Sequence, residues 1–202
     1  TLVNLIARFY DATKGTIMIN EQDIRTYSQH DLREKIGVVP QRAALFKGTI
    51  RENMKWGRED ATDEEIWEAL KTAQAEEFIR AKEGGLDANI EQGGRNLSGG
   101  QRQRLTIARA LVKKPRVLIL DDSASALDYA TDAALRKAIR QMEGAPTVFI
   151  VSQRTSSLMS ADRILVLDDG EATGYGTHEE LLKNCQTYRE IYNSQYGKKE
   201  EA

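Results

Sequence analysis

The sequence predicts an α/β fold with a mostly parallel sheet core and an inserted α-helical subdomain. Residues 117–120 and 147–151 are short apolar runs with the length of strands buried inside a parallel sheet. Helical patterns separate these runs, and such alternation is typical of parallel α/β proteins. The stretch 48–97 has few β-branched residues and is rich in Glu, Ala and Lys, which indicates a helical insertion.

The composition excludes several classes of protein. The 202 residues are 40% hydrophobic and 30% charged, which favours a folded core over disorder. With 29 basic and 31 acidic residues the net charge is -2, so a general polyanion binder is not expected, and nucleic acid is not an expected partner. Clean apolar stretches span only about five residues, whereas a bilayer-spanning helix needs about 20.

Two features concern the compartment and the start of the chain. Cys185 is the only cysteine, so there is no disulfide framework or thiolate metal cluster, and a reducing compartment is expected. The first residue is Thr1 rather than Met, and it falls inside a helical pattern. We therefore expect the sequence to be a fragment whose natural N-terminus lies upstream.

The first half of the chain shows helical and strand patterns separated by clear stop signals. Ser28 and Asp31 form an acidic variant of the capping box, and Pro40 stops a strand. In order, the patterns predict a helix over 1–10, a strand over 16–19, a short helix over 29–35 and a strand over 37–39.

The second half continues the alternation. Thr62 and Glu65 form a capping box that opens a helix in the inserted lobe, and Pro115 ends a later helix. In order, the patterns predict helices after Thr62 and over 101–113, a strand over 117–120, a helix over 128–142, strands over 147–151 and 163–167, and a turn at 168–170. In such sheets, ligands gather at the carboxyl ends of the strands.

The most specific motif is Leu-Ser-Gly-Gly-Gln at residues 97–101. Gly99 and Gly100 let a backbone approach a ligand closely, and they stand just before a predicted helix whose first N–H groups are free to bind an anion. The Ser98 hydroxyl adds a donor. The alternative interpretation is a glycine-rich helix start in which Ser98 is simply the cap.

A second motif is the acidic pair Asp121 and Asp122, which ends the apolar strand. A carboxylate at the end of a strand, facing a phosphate site, commonly holds Mg²⁺ directly or through water. The alternative interpretation is a solvated turn. The position of the acidic pair after the 97–101 motif favours the metal site.

Together these motifs resemble the ATP-binding domain of ABC transporters. Residues 38–41, 97–104, 117–122 and 125–128 come in the order of that family's Q-loop, signature motif, Walker B and D-loop. The similarity covers essentially the whole chain. The segments 46–53 and 91–95 are similar to the exporter branch. The resemblance implies a P-loop NTPase fold of ABC type, divided into a partial ATPase core (1–47), a helical signature subdomain (48–100) and the remaining ATPase core to the C-terminal helices (101–202).

The resemblance also implies cofactors, partners and roles. ABC ATPase domains pair head to tail around two ATP molecules with Mg²⁺, and they act with a transmembrane domain on the cytoplasmic side of the cell membrane. Gln41 and Asp121 are then expected at Mg²⁺, and Asp128 across the dimer interface. Thr1 is expected at the α-phosphate. The signature residues are expected to contact the partner's ATP: Ser98, Gly99, Gly100 and Gln101.

Three departures from the family pattern concern catalysis. The Walker A loop should stand immediately before Thr1, and without its N–H groups and Lys this chain is expected to bind ATP poorly. Asp122 stands where the family usually has a catalytic Glu, so its carboxylate is retracted by about 1.5 Å. Gln153 stands where the family usually has His, and an amide cannot carry a proton. These changes resemble the degenerate half of a heterodimeric multidrug exporter.

Three hypotheses of function follow. The first is an energy-coupling ATPase domain of an exporter with weak catalysis at its own Walker B site. The second is a nucleotide-responsive interaction module that completes a partner's ATP site without useful hydrolysis. The third is a soluble ABC protein of repair or translation, which usually carries coiled-coil insertions or tandem domains. His178 and the tyrosines at 188, 192 and 196 are interpreted as local helix packing, and Trp56 and Trp67 as packing of the helical lobe.

Overall fold

A computed structural model describes residues 2–123 and 125–197, which form two compact units, Thr1–Val151 and Ser152–Ala202. The helices of the first unit are α1 (Val3–Ile6), α2 (Gln29–Glu34), α3 (Ile50–Lys55), α4 (Asp63–Thr72), α5 (Glu76–Arg80), α6 (Gly99–Val112) and α7 (Tyr129–Arg140). Its strands are β1 (Met18–Ile19), β2 (Gln22–Asp23), β3 (Ile36–Val39), β4 (Gly48–Thr49), β5 (Asn89–Ile90), β6 (Val117–Asp121) and β7 (Thr147–Val151).

A parallel sheet forms the centre of the first unit, as the sequence predicts. Its strand order is β3-β6-β7, with Val39 opposite Leu120 and Asp121 opposite Val151. The side chains of β6 alternate between two hydrophobic clusters, because successive residues of a strand point to opposite faces. Leu118 and Leu120 belong to one cluster, and Val117 and Ile119 belong to the other. Both faces are therefore covered, which is typical of a parallel sheet.

The helical lobe of α3, α4 and α5 lies in the sequence between β3 and α6. Capping boxes open α3 at Thr49 and α4 at Thr62, so the capping box expected at Thr62 is confirmed. Ile50, Met54 and Ile66 are fully buried in the same cluster as Leu105 of α6. The lobe and the helix that follows the 97–101 motif therefore share one core.

Three sequence interpretations need correction. The helix expected over 1–10 is a single turn that ends at Ile6, because Arg8 adopts a left-handed backbone (φ 51°). The strand expected over 16–19 is only the two residues of β1. Trp56 does not pack the lobe: 69% of it is exposed, whereas Trp67 does pack against the core. Trp56 is the C-cap of α3 and lies beyond the helical residues Ile50 and Met54, which enter the core.

The second unit holds α8 (Thr155–Leu158), β8 (Ile164–Asp168), β9 (Glu171–Gly176), α9 (His178–Asn184) and α10 (Gln186–Tyr196). β8 and β9 form an antiparallel hairpin whose turn residues, Asp169 and Gly170, both have positive φ. The buried residues of its hydrophobic cluster are Ile164, Val166, Leu181, Cys185 and Tyr188. Among the described residues, no helix is both long and apolar enough to cross a membrane.

Candidate functional site

The carboxyl ends of β3 and β6 bring together two residues that lie far apart in the sequence. Gln41 follows β3 by two residues, and Asp122 directly follows β6. Gln41 Nε2 donates a hydrogen bond to Asp122 Oδ2 over 3.1 Å, across 81 positions of sequence. Parallel pairing of the two strands places their carboxyl ends at the same edge, and this contact follows from it.

A tight turn presents the Asp122 carboxylate. The backbone of Asp122 is left-handed (φ 46°), a conformation that Asp tolerates better than most residues. Its N–H donates to the Val151 carbonyl over 2.9 Å. Its own carbonyl accepts from Ser125 Oγ at 2.8 Å, so the turn is held on both sides. Asp121 is the last residue of β6, half-buried beside this turn.

The 97–101 motif opens α6, a helix of 14 residues. Ser98 is its N-cap, with Oγ accepting from the Gln101 N–H at 3.2 Å, and Gln101 Oε1 accepts from the Ser98 N–H at 3.0 Å. Ser98 therefore caps the helix, as the alternative interpretation of the motif expects. Capping does not exclude ligand binding, because Ser98 and Gly99 are both exposed and the serine hydroxyl still has its own proton to donate.

Gly100 lies directly against the loop that precedes α7. A Cβ at Gly100 would stand 3.2 Å from the Ala126 carbonyl oxygen, which is a tight contact. Asp128 ends this loop as the N-cap of α7, accepting from the Thr131 N–H at 2.9 Å and from Thr131 Oγ1 at 2.7 Å. These bonds to Thr131 hold the pKa of Asp128 below its usual value, so the carboxylate is ionised at neutral pH.

The two remaining predicted site residues are placed differently. Thr1 lies outside the described residues. Gln153 belongs to the second unit, where its carbonyl accepts from Gln195 Nε2 at 2.7 Å. Gln195 Oε1 in turn accepts from the Thr155 N–H at 3.0 Å. The segment that carries Gln153 is therefore tied to α10.

Two arginines beside the 97–101 motif have roles that the sequence did not indicate. Arg102 Nη1 donates to the Leu97 carbonyl at 2.6 Å and to the Gly94 carbonyl at 3.3 Å. Arg104 Nη1 donates to the Gln74 carbonyl at 2.6 Å. Arg102 therefore holds the loop before α6, and Arg104 holds the residue that follows the end of α4.

The sequence also did not indicate an exposed aromatic surface formed by Phe46 and Trp56. The rings of Phe46 and Trp56 are in contact, with centroids 4.9 Å apart and planes tilted by 34°, and the residues are 48% and 69% exposed. Beside them lies a groove of about 170 Å³, lined in part by Trp56, Arg109 and Lys113. Arg109 Nη1 is buried without a hydrogen-bond partner among the residues that the structure describes. The only sequence signal is a tryptophan inside a charged stretch.

The donor groups fit a cation that takes most of its ligands from a nucleotide. Within residues 2–123 and 125–197, no group of three or more His, Cys, Asp or Glu side chains could hold a metal ion alone. Asp121 and the amide oxygen of Gln41 are hard oxygen donors at the end of the sheet. Mg²⁺ is commonly bound by one or two such groups together with phosphate oxygens and water.

Comparisons with known proteins agree with this geometry. The family model described as ABC transporter matches residues 1–125. The chain is 48% identical over 198 residues to an uncharacterized ABC transporter ATP-binding protein, YfiB, of Bacillus subtilis, covering 98% of this chain and 34% of the relative. It is 43% identical over 195 residues to the putative multidrug export ATP-binding/permease protein YgaD of the same organism, covering 96% and 34%.

A solved structure shows the same fold. The structure of a bacterial Atm1-family ABC exporter with ATP bound superposes with a TM-score of 0.91 at 37% identity, covering 96% of this chain and 34% of that chain. The chain thus spans about a third of the length of the relatives it matches. By its matching family model, its fold and its motifs, this chain belongs to the ABC transporter family, as an ATP-binding domain homologous to those of ABC exporters.

Proposed function

We propose that this chain is the nucleotide-binding domain of an ABC exporter, which binds ATP at a dimer interface and couples its binding and hydrolysis to export. The contact between Gln41 and Asp122 at the strand ends carries this proposal, because it assembles an amide and a carboxylate where α/β proteins bind phosphates. Relatives about three times as long, one of them named an ATP-binding/permease protein, support a role within a larger transporter.

The proposed roles follow from the site. Asp121 and Gln41 would hold Mg²⁺, which neutralises phosphate charge when MgATP is bound. The exposed turn of Ser98, Gly99 and Gly100 would donate to the γ-phosphate of the ATP on the partner domain, with Gln101 fixing the turn through the capping box. Asp128, ionised and exposed, would contact the partner domain. The division into 1–47, 48–100 and 101–202 is part of the same proposal.

We further propose that hydrolysis at this chain's own Walker B site is weak and that the partner is a different ABC ATPase domain. Asp122 has a shorter carboxylate than Glu and already accepts from Gln41. Gln153 offers an amide, and an amide cannot take up the proton that an imidazole can. The hydrogen bond that the Asp122 carboxylate accepts from Gln41 also favours the second candidate function, a module that completes its partner's site without hydrolysis.

The D122E variant of the complete transporter, paired with its partner, separates these two functions. With the partner's site inactivated, we expect ATP turnover to rise by roughly ten- to a hundredfold, because the carboxylate regains its reach to the attacking water. The D122N variant is the matched control and should not rise, since it has the same length without the charge. Unchanged turnover in D122E would favour the module that does not hydrolyse ATP.

For the membrane partner, we propose that the surface of Phe46 and Trp56 receives a helical segment of the transmembrane domain on the cytoplasmic side of the membrane. The two exposed rings offer an apolar contact next to a groove. The unpartnered Arg109 Nη1 would donate a hydrogen bond to a carboxylate of that segment.

A further inference from the structure

Arg104, near the start of α6, connects this helix by polar contacts to the corner between α4 and α5. Its Nη1 donates to the Gln74 carbonyl at 2.6 Å, and its Nε donates to the Gly100 carbonyl at a longer 3.4 Å. The guanidinium carbon also lies 4.8 Å from the centroid of the Phe78 ring. Arg104 therefore contacts both the lobe and the turn of residues 98–100.

The lobe side of this contact is well defined. Gln74 follows the C-terminal end of α4 with a left-handed backbone (φ 58°), and helix C-termini carry partial negative charge that favours a cation. Phe78 lies in α5 and packs against the main hydrophobic cluster. The guanidinium group above the Phe78 ring adds a favourable cation–π interaction. Arg104 is thus fixed to the corner between α4 and α5.

The other side of the contact reaches the loop before α7. Gly100 stands against the Ala126 carbonyl, and Leu127 is buried in the cluster that α6 shares with the lobe. Burial lowers the pKa of Arg104, while the negative charges of Asp128 and Glu77 oppose that shift. The charge of Arg104 is therefore favoured by one acidic residue on each side, one in the loop and one in the lobe.

We propose that Arg104 is a positioning residue that makes the α4–α5 corner, the turn of residues 98–100 and the loop that ends at Asp128 move as one body. Any displacement of the helical lobe is then transmitted to both elements that are proposed to face the partner domain. This inference rests on the proposed function for its consequence in catalysis, while the mechanical link stands on the contacts alone.

Lysine should not replace arginine at this position. A single ammonium group cannot reproduce the planar fork that donates to two carbonyls while its face covers an aromatic ring. Arg80 offers a matched control within the same lobe. Its guanidinium carbon lies 4.1 Å from the Trp67 ring centroid and it pairs with Glu76 at 2.8 Å, so its polar contacts are within the lobe.

Hydrogen exchange of the complete transporter, without nucleotide, tests the mechanical link. In R104K we expect the amides in peptides 97–105 and 125–131 to exchange about tenfold faster, while R80K leaves both peptides unchanged. A uniform increase across the first unit, including α3, would show a general loss of stability and overturn the proposal. Unchanged exchange in both peptides would overturn it as well.

ATP dependence of turnover, measured with the partner present, tests the consequence. We expect R104K to raise the apparent KM for ATP at least fivefold with kcat within about twofold, because the turn still functions once the dimer has closed. R104A should be more severe, and R80K should match the unchanged protein. An unaltered KM in R104K overturns the transmission to the partner's site. If the unchanged transporter shows no ATP turnover, the proposed function fails, and the exchange experiment still decides the link.

Discussion

Gln41 Nε2 donates to Asp122 Oδ2 over 3.1 Å, joining the ends of β3 and β6. The first residue lies in the segment that resembles the family's Q-loop, and the second stands where a catalytic carboxylate is expected. In this arrangement the amide that we propose for Mg²⁺ also orients the neighbouring carboxylate. The contact is exposed and so contributes little to folding. Its effect on catalysis can therefore be measured separately from its effect on stability.

Replacing Gln41 should impair turnover far more than stability. In Q41L we expect the free energy of unfolding to fall by less than about 1 kcal/mol, because water replaces an exposed hydrogen bond. Turnover at this chain's own site, measured in a transporter whose partner site is inactivated, should fall at least tenfold, because the carboxylate loses its orientation and the metal loses a ligand. Urea unfolding and an ATPase assay measure the two effects. Q92L, at another exposed glutamine, is the control, and a larger loss of stability than of turnover would contradict the prediction.

The two glycines of the signature turn should respond differently to alanine. A Cβ at Gly99 would have its nearest contact at 3.9 Å, so G99A gains the usual helix propensity of about 0.5–1 kcal/mol. A Cβ at Gly100 would meet the Ala126 carbonyl at 3.2 Å. We therefore expect G100A to be less stable than G99A by at least about 1 kcal/mol. Equal urea midpoints would show that the loop before α7 yields freely.

The exposed aromatic surface should matter to assembly rather than to folding. W56A loses one ring contact with Phe46, so the free energy of unfolding of the chain should change by no more than about 1.5 kcal/mol. In the complete transporter, we expect less assembled protein after size-exclusion chromatography, because the docking surface is damaged. W67A is the matched control and should destabilise the chain itself, since Trp67 packs against the core. Full recovery of assembled W56A would contradict the proposed docking surface.

Glu65 should make the stability of the lobe depend on acid pH. Hydrogen bonds from Lys114, Arg58 and the Thr62 N–H lower its pKa from 4.5 to about 2. Because the folded pKa is the lower one, the stabilisation is fully present above pH 4.5 and is lost as the pH falls towards 2. Urea midpoints at pH 6 and pH 3 should therefore differ less in E65Q than in the unchanged chain. An equal difference would show that other carboxylates account for the acid sensitivity.

The sequence by itself determined the central strands, the capped helices and the order of the motifs. The buried strand β6, the cap at Thr62 and the helix that follows Ser98 all stand where periodicity and capping patterns place them. These features depend on hydrogen bonds and burial patterns within a few residues, so a single stretch of sequence contains the information. The family of the chain could be read in the same way, because its motifs are local strings.

The tertiary structure alone decided which of these residues meet. The contact between Gln41 and Asp122 requires β3 to pair with β6, and the bond from Arg104 to Gln74 spans 30 positions of sequence. The outward position of Trp56 depends on where α3 ends against the rest of the lobe. Such contacts come from long-range packing of the sheet and the shared core, and no short pattern in the sequence encodes which surfaces that packing leaves exposed.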